Sequence, residues 1–193
     1  LTATVVRVVD GDTLEVRYAN GSADTVRLLG VDTPEVHTAT DPAEFEGIPE
    51  TDAGRAWLRD WGHKASEFAR AELRDAQVRL VTDPMADRRG RYGRLLAYVF
   101  DSEGLFNRRL LEQGYARLYD SSFERRAAFE AAEAEARANG VGLWGYASGT
   151  TPVSDGGTTA SVGGTGLVVA AVHADADGND HENLNDEYVV FEN

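Results

Sequence analysis

Three short segments concentrate residue types suited to phosphate-ester chemistry. They are Asp10-Gly11-Asp12-Thr13, Arg27-Leu28-Leu29-Gly30-Val31-Asp32-Thr33-Pro34-Glu35, and Arg91-Tyr92-Gly93-Arg94-Leu95-Leu96-Ala97-Tyr98. Unassisted phosphodiester hydrolysis is so slow that a catalyst must supply up to ~10¹⁷-fold in rate. That takes a hard cation for the phosphate oxygens, a water with a base beside it, and fixed positive charge where negative charge develops. Carboxylates and carbonyls suit Ca²⁺, and the planar fork of arginine suits phosphate. Each segment alone has a simpler reading. Asp10-Gly11 is an ordinary hairpin turn, Asp32 to Glu35 a loop or helix start, Arg27 a solvated strand residue, and the arginines near Gly93 surface charge. Their joint occurrence in this order is what carries the functional reading.

The elements that would position these residues are legible. Residues 2–9 and 12–18 are β-branched and alternate roughly, with Asp10-Gly11 as a tight turn between them. A third strand is expected over 25–31, after Asn20-Gly21. Residues 36–51 read as a polar loop with Pro42 and Pro49. A helix is expected over 52–75, with Trp57, Trp61, Ala65 and Phe68 facing the core; Gly62 weakens its middle by about 1 kcal/mol relative to Ala. Strands follow at 77–82 and 94–100, joined by a loop carrying Arg88, Arg89 and Arg91. Helices are expected over 105–113 and 122–138. The second has Ser121 and Glu124 as a capping box and Asn139-Gly140 as its stop. Five strands with about three α-helices predict an OB-fold, a β-barrel with helices of the α+β class.

The chain has 193 residues and no cysteine, which excludes disulfides, thiolate zinc sites and a cysteine nucleophile. His37, His63, His173 and His181 have no zinc-binding spacing. No apolar run is long enough for a transmembrane helix. The net charge of −14 argues, by itself, against a nucleic-acid partner. All but one of the 19 bases are arginine, Lys64 being the exception. Such acid-rich, lysine-poor surfaces are typical of halophilic proteins, and in molar salt the Debye length shrinks to about 3 Å. The charge is also uneven: residues 150–193 hold eight acids and no base.

The run D-G-D-T, then R-L-L-x-V-D-T-P-E, then Y-G-R-x-L-A-Y, then G-L-W at Gly142-Leu143-Trp144 resembles the staphylococcal nuclease (thermonuclease) family over about residues 4–146. The resemblance implies the same five-stranded OB barrel and a calcium-dependent endonuclease acting on DNA and RNA, with 3′-phosphate and 5′-hydroxyl products. It implies Asp10, Asp32 and the Thr33 carbonyl as calcium ligands, with Asp12 as a further ligand or a support behind them. It implies Glu35 as general base, Arg27 as phosphate clamp and Arg94 as second clamp near the leaving group. Tyr92, with Arg91 and Tyr119, would line the nucleotide pocket. A monomer working outside the cell or at its surface is the expectation. Gly90 stands where the family often has aspartate, and the loop after Glu35 is long and acidic (Asp41, Glu44, Glu46, Glu50, Asp52), either gating the site or solvating the surface. Arg108 and Arg109 either extend a basic groove or form a solvated helix face.

Residues 147–165 are rich in Gly, Ser and Thr and read as a flexible linker. Residues 166–193 resemble the truncated start of a lamin-tail domain, with strands at 167–172 and 187–191 and too few residues for that domain's core. Asp175, Asp177, Asn179 and Asp180 hint at a calcium loop, but Gly178 is one step out of place for an EF-hand. Two other functions fit the pattern less well. A non-catalytic nucleic-acid-binding OB module would have no reason to keep both aspartates, the glutamate and both arginines. A protein-interaction module tethered by the tail is permitted by the linker alone.

Overall fold

The computed structural model describes residues 1–36, 38, 40–146, 168–173 and 188–192. Five strands close into a barrel: β1 (Thr2–Val8), β2 (Thr13–Tyr18), β3 (Ala23–Leu28), then β6 (Leu95–Phe100) and β5 (Gln77–Val81), which returns to β1. All pairs are antiparallel except β3 with β6. A parallel pair needs a long crossover, and the segment between β3 and β6 supplies it with the helix α1 (Asp52–Leu73) and β5. This is the expected five-stranded OB barrel with three helices.

The barrel interior follows from alternation. Leu14, Val16, Val26, Leu28, Val78, Leu80, Leu95, Ala97 and Val99 all point inward and are almost fully buried. In β1 the alternation breaks: the register shifts between Val5 and Arg7, so Val6 and Arg7 both face outward and Val8 turns back in. Such a bulge re-aims whatever follows it, here the turn bearing Asp10.

Helix α1 starts at Thr51, whose Oγ1 accepts from the Gly54 amide at 3.2 Å. Its buried face is Gly54, Leu58, Gly62, Ala65, Ser66, Ala69 and Leu73, mostly small residues. Trp57 and Trp61 are half-buried beside that face. With Trp144 and Tyr146 they pack on a separate apolar cluster of Phe45, Ile48, Leu58 and Leu143, and Trp57 Nε1 donates to the Leu143 carbonyl at 2.8 Å. The two tryptophans therefore serve this satellite cluster rather than the barrel core. Their large flat rings cover the flank where Gly142–Gly145 forms a 3₁₀ turn.

Helix α2 (Phe106–Glu112) carries the fully buried Asn107, whose amide accepts from the Val99 N–H and donates to the carbonyls of Leu29 and Ala97. This bolts the helix to the barrel just where β3 ends. The third strand is shorter than expected. It stops at Leu28, the chain turns at Leu29-Gly30, and Val31–Asp32 forms a separate strand β4 paired with β7 (Arg117–Leu118). Helix α3 (Arg126–Ala138) also starts later than expected, and no side chain caps it. The Ser121–Glu124 box does not form. The Glu124 amide instead donates to the buried carboxylate of Asp83 at 2.9 Å, a stronger charged acceptor than a serine hydroxyl. The stop at Asn139-Gly140 is where expected.

Contacts divide the chain into Leu1–Pro152 and Val153–Asn193. In the second unit β8 (Val168–His173) pairs antiparallel with β9 (Tyr188–Glu192). The expected linker and the Asp175–Asp180 loop lie outside the described residues. Among the described residues no helix is long and apolar enough to cross a membrane.

Candidate active site

The β1–β2 turn is closed by the Val9 amide donating to the Thr13 carbonyl at 2.9 Å, and the Asp12 amide donates to Asp10 Oδ1 at 3.2 Å. Aspartate favours turns because its side chain can accept from the backbone two residues on. Register places Thr13 opposite Arg27 on β3, and β4 follows at once with Asp32. The loop before β6 brings Arg91, Tyr92 and Arg94. These residues, with Glu35 and Tyr119, all border one cleft of about 700 Å³. Two glycines let the pieces close up. A Cβ on Gly62 of α1 would lie 2.5 Å from the Pro34 carbonyl oxygen, and one on Gly11 would lie 2.8 Å from both Ala65 Cβ and Thr33 Cγ2. The segment Thr33–Glu35 is thus seated directly on the helix.

Charge is arranged in a chain. Asp12 Oδ2 accepts from the Thr33 amide at 2.9 Å and the Thr33 hydroxyl at 3.1 Å, and pairs with Arg27 Nη1; its Oδ1 accepts from the Thr13 hydroxyl at 3.0 Å. Arg27 Nη2 donates to Asp32 Oδ1 at 2.5 Å. Asp32 Oδ2 in turn pairs with Arg117 Nη2 at 2.7 Å, and that nitrogen reaches Glu44 Oε2 at 2.9 Å. Asp10 makes no ion pair among the described residues. Arg94 also makes none; it touches the Thr13 hydroxyl at 3.3 Å and lies against the Tyr92 ring. An arginine without a carboxylate partner at the cleft wall is available to an incoming phosphate.

The acids are crowded, and their proton affinities show it. Burial, then the neighbouring Asp12 carboxylate, pushes Asp10 up to about 6. Burial raises Asp32 too, with Arg27 and Arg117 working against the rise. Glu35 is raised by partial burial and by the charges of Asp12 and Asp32, with Arg27 and Arg94 opposing. Burial works against the charge of Arg27, but Asp12, Asp32 and Asp10 outweigh it and hold its pKa above the usual value.

Asp10, Asp12, Arg27, Asp32, Glu35, Arg91, Tyr92, Arg94 and Tyr119 therefore share the cleft. Thr33 lies just behind the cleft wall: it is buried, and its side chain and amide hold Asp12. Tyr92 and Tyr119 are exposed at the rim, at 74% and 48%. Arg109 belongs to no basic groove. It is 12% exposed and pairs with Glu72, Asp101 and Glu103, so it joins α1 to the loop before α2, while Arg108 pairs with Glu112 at the surface. The acidic loop is partly structural. Asp41 caps the 3₁₀ turn Pro42–Glu44, Glu44 meets Arg117 and Glu46 meets Arg137.

Sequence reasoning missed Arg117 and Asp83, and named Glu44 only as one acid of the loop after Glu35. Nothing local marks Arg117 in Gly114-Tyr115-Ala116-Arg117, since its partners lie far away in the chain. Asp83 accepts from the Tyr98 hydroxyl at 2.5 Å, the Glu124 amide at 2.9 Å and the Met85 amide at 2.8 Å. It thereby ties together the two walls of the cleft around Met85 and Ser121.

Among the described residues no three His, Cys, Asp or Glu side chains form a metal-holding cluster. The donor set nevertheless suits a hard cation. It is all oxygen, and Asp10 is held at a raised pKa by burial and a like charge, a strain that a divalent ion would relieve. Asp12 has its acceptors filled by Thr13, Thr33 and Arg27, which fits support better than ligation.

The fold is a closed OB barrel, with acids and arginines converging at one cleft. The chain matches the family described as staphylococcal nuclease homologue over residues 25–146, and it belongs to that family. It is 46% identical over 151 residues to an uncharacterised protein of Methanocaldococcus jannaschii, covering 75% of this chain and 72% of that one. It is 32% identical over 145 residues to the thermonuclease of Staphylococcus hyicus, covering 74% and 75%. Endonuclease YncB of Bacillus subtilis is 33% identical over 147 residues, covering 75% of this chain and 62% of that protein.

Proposed function

We propose that this chain is a calcium-dependent nuclease that hydrolyses phosphodiester bonds of DNA and RNA, leaving 3′-phosphate and 5′-hydroxyl ends. The observation that carries the reading is the meeting of Glu35, Asp10, Asp32, Arg27 and Arg94 at one cleft. Relatives named thermonuclease and endonuclease support it.

Asp10 and Asp32 would hold the cation, together with the carbonyl of Thr33. When bound, Ca²⁺ draws charge from the phosphate oxygens and lowers the barrier to attack. Glu35 takes a proton from a water molecule, and the resulting hydroxide attacks phosphorus. The P–O5′ bond breaks, and the leaving oxygen takes a proton from solvent water to become the 5′-hydroxyl. Arg27 and Arg94 donate hydrogen bonds to the phosphate oxygens, where charge builds up. Their value rises in a partly buried cleft, where water screens less. Asp12 and Thr33 keep Arg27 and the β4 turn in place. Tyr92 and Tyr119 offer aromatic faces to bases, and Arg91 offers charge to the backbone. Base stacking tolerates any sequence, in keeping with a broad DNA and RNA substrate range.

The family's habit of acting outside the cell supports an extracellular or surface setting. The resemblance of residues 166–193 to a lamin-tail start, behind a 147–165 linker, supports a tethered nuclease domain at 1–146. The test of the reading is single-stranded DNA incubated with Ca²⁺ and with a chelator, followed by end-group analysis. Degradation only with Ca²⁺, with 3′-phosphate ends, is the expected result. Cleavage indifferent to chelation removes the cation, and binding without cleavage leaves a nucleic-acid-binding module.

A further inference from the structure

Asp32 has both carboxylate oxygens engaged by arginine. Arg27 holds Oδ1 from the cleft side at 2.5 Å, and Arg117 holds Oδ2 at 2.7 Å. The hydrolytic steps above make no use of Arg117. It borders a second, smaller cavity with Glu44, Glu46, Glu133 and Arg137, and so approaches Asp32 from behind. Its position is set by three contacts: the strand pairing of residue 117 with residue 32, the Phe45 ring at 5.3 Å from its guanidinium carbon, and Glu44 Oε2 at 2.9 Å. The same nitrogen, Nη2, serves both Asp32 and Glu44. Its side chain is 16% exposed, so water screens these pairs only in part.

A carboxylate donating to a cation while bonded to two guanidinium groups is a poorer ligand than a bare one. In the cation-free protein Arg117 offsets the repulsion among Asp10, Asp12 and Asp32. With a divalent cation in place, the same positive charge opposes it. Glu44 gives Arg117 a second acceptor, and the more of the guanidinium it takes, the more of Asp32 is left for the metal. We infer that Arg117 and Glu44 are positioning residues that set the affinity of Asp32 for a divalent cation, Arg117 by competing with it and Glu44 by drawing Arg117 away. This rests on the calcium reading above.

The test measures Ca²⁺ binding itself, by calorimetry and by the rise in Tm on adding Ca²⁺, in the wild type, Glu44→Gln, Arg117→Gln, Arg117→Lys and the double variant. Glu44→Gln should weaken binding by about tenfold, the order expected for one partly screened charge. Arg117→Gln should tighten binding several-fold while lowering the Tm of the cation-free protein. A merely structural residue would lower Tm without tightening the site. Arg117→Lys, which keeps the charge, should stay close to wild type. In the Arg117→Gln background the loss caused by Glu44→Gln should shrink to the smaller part that the Glu44 charge exerts on Asp32 directly, since the rest acts through Arg117. An undiminished loss there overturns the inference, as does Arg117→Gln binding Ca²⁺ no better than wild type. Should Arg117→Gln fail to fold, Glu44→Gln decides alone, and unchanged affinity overturns the inference. A wild type that binds no Ca²⁺ refutes the calcium reading instead, a different and separately visible result.

Discussion

Gly62, in the middle of α1, lies so close beneath Pro34 that a Cβ there would stand 2.5 Å from the Pro34 carbonyl oxygen. The next residue after Pro34 is Glu35, so the helix acts as the floor under the proposed base. On propensity alone Gly62→Ala should stabilise the helix by about 1 kcal/mol. The contact reverses this, because backbone oxygen cannot yield as a flexible side chain would. We expect Gly62→Ala to lower Tm and to cut kcat by at least about tenfold, since small misplacements of a catalytic group are costly. A variant with raised Tm and full activity would show that the Thr33–Glu35 segment is not seated by the helix.

Glu35→Gln keeps size and shape but removes the basic oxygen. General-base catalysis contributes about 10²–10⁴-fold, and kcat should fall by that order. Tm should change little, because Glu35 is exposed and makes no ion pair among the described residues. Full activity in Glu35→Gln would take the base assignment away from this residue.

The raised pKa of Asp10, about 6 through burial and the Asp12 charge, has a sign. Its folded-state value lies above the ordinary aspartate range, so folding favours the protonated acid. The contribution of Asp10 to the stability of the cation-free protein falls as pH rises from about 4 to about 6. Ca²⁺ needs the ionised form and competes with that proton. The Ca²⁺-induced rise in Tm should therefore be small at pH 5 and fully developed at pH 7. Asp10→Asn should abolish the Ca²⁺ response and reduce the stability trend to the part carried by Asp32 and Glu35. A Ca²⁺ response that is flat between pH 5 and 7 would contradict the role given to Asp10.

Asp83 has the opposite sign. Burial alone would raise its pKa, but donation from the Tyr98 hydroxyl and the amides of Glu124, Met85 and Ala86 outweighs burial and lowers it. Its stabilising contribution is present above the unfolded aspartate pKa and is lost as pH falls through the lower folded value. Asp83→Asn leaves buried donors without their charged acceptor and should cost about 3 kcal/mol. Its stability should also fall less steeply below pH 4 than that of the wild type. An unchanged Tm in Asp83→Asn would mean that the two cleft walls are held together by other contacts.

The barrel and the catalytic candidates could be read because their signals are local. Alternation over five or six residues marks a strand whatever lies beyond it, and Asp10, Arg27, Asp32, Glu35 and Arg94 each sit inside a short run with a recognisable pattern. The reading failed where one strand ends and another begins. Residues 25–31 read as one unbroken strand pattern, and the break after Leu28 arises because Asn107 bonds the Leu29 carbonyl and β7 takes Val31–Asp32 as its partner. It failed at the start of α3 for the same reason, since the Glu124 amide is claimed by Asp83, 41 residues away in the chain.

Composition and short-range pattern by themselves determined that this chain makes an OB barrel, without cysteine chemistry, with carboxylates and arginines at turns. Tertiary structure alone decided that Arg117 stands behind Asp32, that Glu44 shares it, that Trp57 and Trp61 serve a satellite cluster, and that Gly62 is a contact rather than a weakness. Those facts depend on partners roughly 30 to 90 positions apart, and such partners leave no periodicity in the chain; only the closing of the barrel brings them within reach.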